Sequence, residues 1–142
     1  NGMDIPVSSR DTRHDLVQLF VVADPIAYVL AKPVVDEPGT RWYYNGGGTN
    51  VLGEDILKAS GTRMDEFAEK YLFAPLGITG YEWDFINQDL IHASGNLRLR
   101  PRDMPKIGYL YLNGGMWQGE RIVSEDWIKK STQAHATTAW ES

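Results

Sequence analysis

Proline and glycine punctuate this chain at short intervals, and the punctuation limits what it can build. Pro33, the Pro38-Gly39 pair, Gly61, Pro75 with Gly77, and the Asn113-Gly114-Gly115 run each fall between stretches of helical apolar spacing. Proline removes a backbone donor and clashes with the preceding turn, whereas glycine accepts the left-handed conformation that closes a helix. The chain therefore reads as a mainly helical unit with long ordered connections and one or two very short strands. A complete α/β sheet is not written in it. No internal repeat or low-complexity tract is present, so the 142 residues are expected to form one domain.

Helix starts and stops give the element order. Asp24-Pro25 combines an N-cap acceptor with proline at the first helical position, leading into Ile26, Val29 and Leu30 until Pro33 stops the helix. Val34 to Pro38 reads as an extended connection. Leu52, Ile56 and Ala59 recur at helical spacing before a left-handed stop at Gly61. Thr62 and Asp65 have the spacing of a capping box, and Met64, Phe67, Ala68 and Tyr71 mark one expected face. Tyr81, Trp83 and Phe85 suggest a wrapped loop anchored on a core. Met104, Ile107, Leu110 and Tyr111 define a further helix closed by Asn113-Gly114-Gly115, with the basic stretch Arg98 to Lys106 as its solvated start. After a short extended Arg121 to Val123, Ser124 caps a last helix whose acids (Glu125, Asp126) and bases (Lys129, Lys130) sit at the favourable ends of the dipole.

Composition narrows the function classes. Apolar residues make up 42% and aromatic residues 11% of the chain, enough to bury a sizeable core. The net charge of −5 and pI near 5.1 leave no basic field for a phosphate backbone, so no nucleic-acid partner is expected. The apolar stretch Leu16 to Ala31 is broken by Gln18, Asp24 and Pro25, too short for a membrane span. Asn1 to Arg10 lacks the charged-then-apolar order of a secretory signal. With no cysteine, a disulfide framework, a cysteine-based zinc site and a thiol nucleophile are all excluded.

Simple motifs add further exclusions. Gly48 and Gly53 have the glycine spacing of a phosphate loop, but Glu54-Asp55 stands where that loop needs lysine and a hydroxyl. The Gly46-Gly47-Gly48 run is instead expected to be a tight turn feeding a helix, with glycine supplying φ > 0. His14, His92 and His135 form no ligand pair, so neither metal nor cofactor is expected. The adjacent acids Glu54-Asp55, Asp65-Glu66 and Glu125-Asp126 are assigned to first helical turns, as dipole partners. No serine has lysine three residues on, G-x-S-x-G is absent, and no Lys-Thr-Gly or His-x-Gly triplet occurs.

One set of segments carries more. Pro38 to Gly47, Val51-Leu52-Gly53, and Tyr71-Leu72-Phe73-Ala74-Pro75-Leu76-Gly77-Ile78 resemble the serine β-lactamase and penicillin-binding-protein-like family, most closely its class C and esterase or amide hydrolase branch. Ala93 to Leu97, Asp103-Met104, Leu112 to Gly115 and Ile122 to Trp127 resemble the same family in the same order. The resemblance implies chemistry by a serine nucleophile and lysine from S-x-x-K, a tyrosine from a Y-x-N or Y-x-S loop, and a lysine- or histidine-based triplet on a strand. Tyr44-Asn45-Gly46 matches the tyrosine loop, which makes Tyr44 the catalytic candidate and Asn45 and Gly46 substrate-binding candidates. Gly46 stands where the family usually has Asn or Ser. A phenol titrates near pH 10 and serves as a base only if neighbouring cations lower that value, with Arg41 the nearest in sequence. Trp42 and Tyr43 are expected to pack.

The resemblance thus implies the helical region of a β-lactamase/transpeptidase-like α+β fold, mainly α, with residues 1–142 a single helical domain or fragment and the flanking α/β part absent. A chain with the tyrosine but without the serine and lysine is expected to be inactive alone, the parent acting on a small-molecule amide, ester or peptidoglycan-like substrate. Surface left by the missing segments is expected to drive self-association. The alternative is a non-catalytic binding or assembly module derived from the family.

Overall fold

Side-chain caps decide where several of the helices begin, and what lies opposite each helix decides which face it buries. The computed structural model describes residues 15–34, 36–37, 39–40, 42 and 44–136, the first two by backbone alone. A single turn, α1 (Asp15–Gln18), has no counterpart in the sequence expectations. α2 (Pro25–Leu30) starts as expected, with Asp24 Oδ1 accepting the Ala27 N–H at 2.9 Å and Pro25 in the first turn. Leu19, Val29, Ile86 and Leu90 bury together, and Ile26, Tyr28 and Val51 pack against them.

α3 (Gly46–Ser60) departs from the sequence reading at its start and along its length. Asn45 caps it, its Oδ1 accepting the Gly48 N–H at 2.8 Å, so Gly46, Gly47 and Gly48 form the first helical turn instead of a positive-φ turn ahead of it. The buried residues are Gly46, Gly47, Asn50 and Gly53, not the expected Leu52-Ile56-Ala59 face, and Leu52 is 60% exposed. Small residues win because the neighbouring chain approaches the helix backbone closely. Glu54 and Asp55 consequently lie in mid-helix, beyond the first turn. The stop is as expected: Gly61 is left-handed at φ +69° and its N–H reaches Leu57 O at 2.8 Å.

The next helix also corrects a sequence expectation. α4 (Met64–Ala68) follows Arg63 without any side-chain cap, and Asp65 is held by the Arg63 guanidinium (Nε to Oδ1, 2.6 Å) instead of closing a capping box with Thr62. A π-helical turn, Glu69–Phe73, continues it, with the Ala74 N–H bonding Glu69 O at 2.8 Å. Widening the turn shifts the apolar face. Tyr71 is left exposed and Phe73 is driven into the core with Leu76, Ile78 and Leu110.

The expected wrapped loop is a ribbon. β1 (Tyr81–Trp83) pairs antiparallel with β2 (Leu97–Leu99) in register Tyr81–Leu99, Glu82–Arg98 and Trp83–Leu97, and a bridge joins Phe85 to Ile91. Arg98 is therefore a strand residue, paired with Glu82 (Nε to Oε2, 3.0 Å) and Asp84 (Nη1 to Oδ2, 2.9 Å), and not part of a helix start. α5 (Met104–Leu112) begins later; it buries Leu110 but exposes Met104 and Tyr111, which the sequence spacing had placed on the core face. β3 (Met116–Trp117) and β4 (Glu120–Arg121) form a second two-stranded ribbon. α6 (Glu125–Ser131) closes the described chain, with Ser124 Oγ accepting the Trp127 N–H at 3.2 Å and Lys129 bridging Glu125 at 2.6 Å. Helices thus dominate, and among the described residues none is long and apolar enough to cross a membrane.

Leu110 has no exposed surface, so Leu110→Ala is expected to cost about 2–5 kcal/mol. Leu112→Ala, two residues on and 88% exposed, should change stability by no more than about 0.5 kcal/mol. Urea denaturation of both variants checks the assignment of core and surface.

Candidate active site

The N-terminus of α3 carries the residues singled out by the sequence. Tyr44 directly precedes the capping residue and its side chain is 53% exposed. Asn45 is half-buried, with its side-chain Oδ1 committed to the Gly48 N–H, and Gly46 is buried as the first helical residue. Both neighbours of the phenol therefore serve the helix directly. Trp42, expected to pack, is exposed, and Arg41 and Tyr43 lie outside the described residues.

One turn and a half further along α3, the structure assembles a polar cluster that the sequence reading did not single out. Asn50 is completely buried. Its Oδ1 accepts the Ser94 backbone N–H at 3.2 Å, and its Nδ2 donates to Ser94 Oγ at 3.4 Å. Ser94 Oγ lies 3.2 Å from His92 Nε2. The segment carrying His92 and Ser94 is pinned from its other side by Trp83, whose Nε1 donates to the carbonyls of His92 and Gly95, each at 3.1 Å. A methyl group on Gly53 would come within 3.1 Å of Ala93 Cβ, which shows how closely this segment lies against α3. The one sequence signal was Asn50 itself, an amide at helical spacing from Gly46 and Gly53.

A serine hydroxyl beside an imidazole has the outline of a nucleophile and its base. The surroundings argue for a clasp instead. The Ser94 N–H is spent on Asn50 and the Gly95 N–H on His92 O at 3.1 Å, so neither is free to hold an oxyanion. His92 Nδ1 is buried with no hydrogen-bond partner among the described residues, and no carboxylate orients it. The Phe20 ring lies over the imidazole at 5.4 Å between centroids. Burial pushes the His92 pKa below its ordinary value, against an opposing pull from Asp84 and the Gly95 backbone. A neutral imidazole fits the clasp, because the cost of burying the charged form outweighs the pull of Asp84 and the Gly95 backbone.

With a model of the Beta-lactamase family matching residues 3–138, the chain belongs to that family. It is 31% identical over 83 residues to lovastatin esterase of Penicillium rubens, covering 58% of this chain and 20% of that protein. It is 29% identical over 90 residues to 6-aminohexanoate-dimer hydrolase of Paenarthrobacter ureafaciens, covering 63% of this chain and 23% of that protein. The octameric penicillin-binding protein homologue from Pyrococcus abyssi superimposes with a TM-score of 0.60 at 26% identity, over 76% of this chain and 29% of that one. The chain thus spans between a fifth and a third of the length of these relatives.

The clasp gives stability a pH dependence. The unfolded imidazole titrates near pH 6.5 and the folded one lower, so the unfolded chain takes up more protons as the solution is acidified. Stability is full above pH 6.5, falls as pH drops through it, and stops falling from this cause below the folded pKa. Asp65 and Asp103, whose pKa values are also lowered, act in the same direction but near and below pH 3.8, outside this window. His92→Gln should flatten the upper part of a denaturation-against-pH curve; an unchanged curve would show that His92 is not its source. Asn50→Ala should cost about 1–3 kcal/mol at any pH, by leaving the Ser94 N–H unpaired.

Proposed function

We propose that this chain is the helical, tyrosine-bearing part of a longer serine hydrolase that cleaves an amide, ester or β-lactam through an acyl-serine intermediate. The observation that carries the reading is Tyr44, a solvent-accessible phenol at the N-terminus of α3 in a chain of the Beta-lactamase family. An esterase and a dimer hydrolase among its relatives support acyl transfer as the reaction class. In this reading a serine from elsewhere in the parent attacks the carbonyl carbon while Tyr44 takes the serine proton. Tyr44 then returns that proton to the departing amine or alcohol as its bond to the carbonyl carbon breaks, and in the second half water attacks the acyl-serine while Tyr44 takes the water proton and passes it to the departing serine oxygen, releasing the acid. The Asn45 amide nitrogen and the Gly46 backbone line the approach to the phenol and contact the substrate. Neither metal nor cofactor takes part, and residues 1–142 are inactive without the segment that supplies serine and lysine.

A second reading is favoured by one observation: Asn45 and Gly46 are both used to start α3. A non-catalytic binding or assembly module would keep those roles after losing its chemistry. In either case, apolar surface that the remainder of the family fold would cover promotes self-association of the isolated chain, which sedimentation at rising concentration reads out.

A fluorophosphonate serine probe separates the two. The chain alone should keep its mass of 16.0 kDa, while the full-length product of its reading frame should gain one adduct on a serine of an S-x-x-K motif. Tyr44→Phe in that protein should lower kcat by about 10²–10⁴-fold with a much smaller change in KM. Absence of any adduct on the full-length protein would favour the module, and an adduct on the chain alone would remove both readings.

A further inference from the structure

α3 starts on residues poorly suited to start a helix. Proline aside, glycine is the weakest helix former, and Gly46, Gly47 and Gly48 fill the first turn. Local support comes from Asn45, whose Oδ1 accepts the Gly48 N–H at 2.8 Å and whose backbone carbonyl accepts the Thr49 N–H at 3.2 Å and the Thr49 hydroxyl at 3.0 Å. Glycine at 48 serves that cap, since a Cβ there would come within 3.1 Å of Asn45 Nδ2. Left to its own propensity, a helix with such a first turn would begin one turn late.

What holds the turn is further along. Gly46, Gly47 and Gly48 have no side chain and Thr49 is exposed, so Asn50 is the first side chain of α3 to enter the interior. Its two hydrogen bonds to Ser94 span 44 residues of chain and end on a segment that Trp83 fixes in turn. Val51 follows it inward against the Leu19, Val29, Ile86 and Leu90 cluster, but an apolar contact has no direction and lets a helix slide or rotate. A hydrogen-bonded amide fixes both. A late start would free Asn45 from Gly48 and carry Tyr44 away by up to one helical turn, about 5.4 Å. Displacement of a reacting group by about 1 Å is already costly to rate.

We infer that Asn50 is a positioning residue: through Ser94 it ties the glycine turn of α3 to the fold, and that turn holds Tyr44 where it can carry a proton. The inference rests on the reading of Tyr44 as the proton-carrying phenol of a longer hydrolase.

Amide hydrogen exchange on the 142-residue chain tests the tether, and turnover by the full-length product of the same reading frame tests its consequence. In Asn50→Ala the Gly48 and Thr49 amides should exchange about tenfold faster than in the unsubstituted chain, while the Ile128 amide of α6, bonded to Ser124 O, gains much less. Leu110→Ala, a loss from the other apolar cluster, should leave Gly48 and Thr49 within about twofold. Ser94→Ala removes only the Oγ end of the clasp and should speed the same two amides by about threefold, which keeps the test decisive if Asn50→Ala does not fold. In the full-length protein Asn50→Ala should lower kcat by about tenfold with KM changed much less, and Leu110→Ala should leave kcat within about twofold. Equal acceleration of the Gly48, Thr49 and Ile128 amides would make Asn50 a contributor to global stability only, and overturns the inference. An unchanged kcat in Asn50→Ala overturns it as well. If Tyr44→Phe leaves hydrolysis by the full-length protein unaltered, the hydrolase reading falls instead, and the exchange rates still decide whether Asn50 holds the turn.

Discussion

The close approach of the segment 92–95 to the glycine-lined face of α3 is the constraint on which the candidate site depends. Gly53 leaves room for Ala93, and Asn50 then satisfies the Ser94 backbone at a place where no water is needed to do so. A buried amide that finds both a donor and an acceptor is stabilising, whereas the same amide facing an apolar wall would carry the full cost of its lost hydration. The pairing therefore selects one register of the segment against the helix. Trp83 enforces the same register from the opposite side by closing the two ends of that segment with a single indole N–H.

Two apolar clusters flank this arrangement. One gathers Leu19, Val29, Ile86 and Leu90 around α2, and the other gathers Phe73, Leu76, Ile78 and Leu110 beneath the first ribbon and α5. The π-helical turn after α4 is what delivers Phe73 to the second cluster, since a regular continuation would have presented Tyr71 instead. α5 contributes to that cluster from one side only. Its outer side keeps the composition of a core helix, and this asymmetry sets it apart from α6, where Glu125, Asp126, Lys129 and Lys130 stand outside and Ile128 is buried.

Signals confined to a few neighbouring residues were legible in the sequence. The Asp24 and Ser124 caps, the Gly61 stop and the existence of α2, α3, α5 and α6 all depend on local backbone chemistry, and all are present. Faces were read less well, because a face is defined by what lies opposite it. Leu52 has the right spacing for a core position but is exposed, while Gly46 and Gly53 look featureless and are buried. Pairing of Tyr81–Trp83 with Leu97–Leu99 was invisible for the same reason: neither three-residue segment has a preference strong enough to declare itself without the other. At the candidate site, Tyr44 could be named from the resemblance of its loop, but Asn50, Ser94 and His92 meet only after the chain between them has folded back.

By itself, the amino-acid sequence determined the family, the helical character and the helix ends set by Asp24, Gly61 and Ser124, since caps and stops act over three or four residues. Tertiary structure alone decided that a glycine stripe and not a leucine stripe of α3 is buried, that Arg98 belongs to a strand, and that Asn50 clasps Ser94. Each of those outcomes joins residues distant in the chain, where the available space and the need to pair buried polar groups outweigh local propensity.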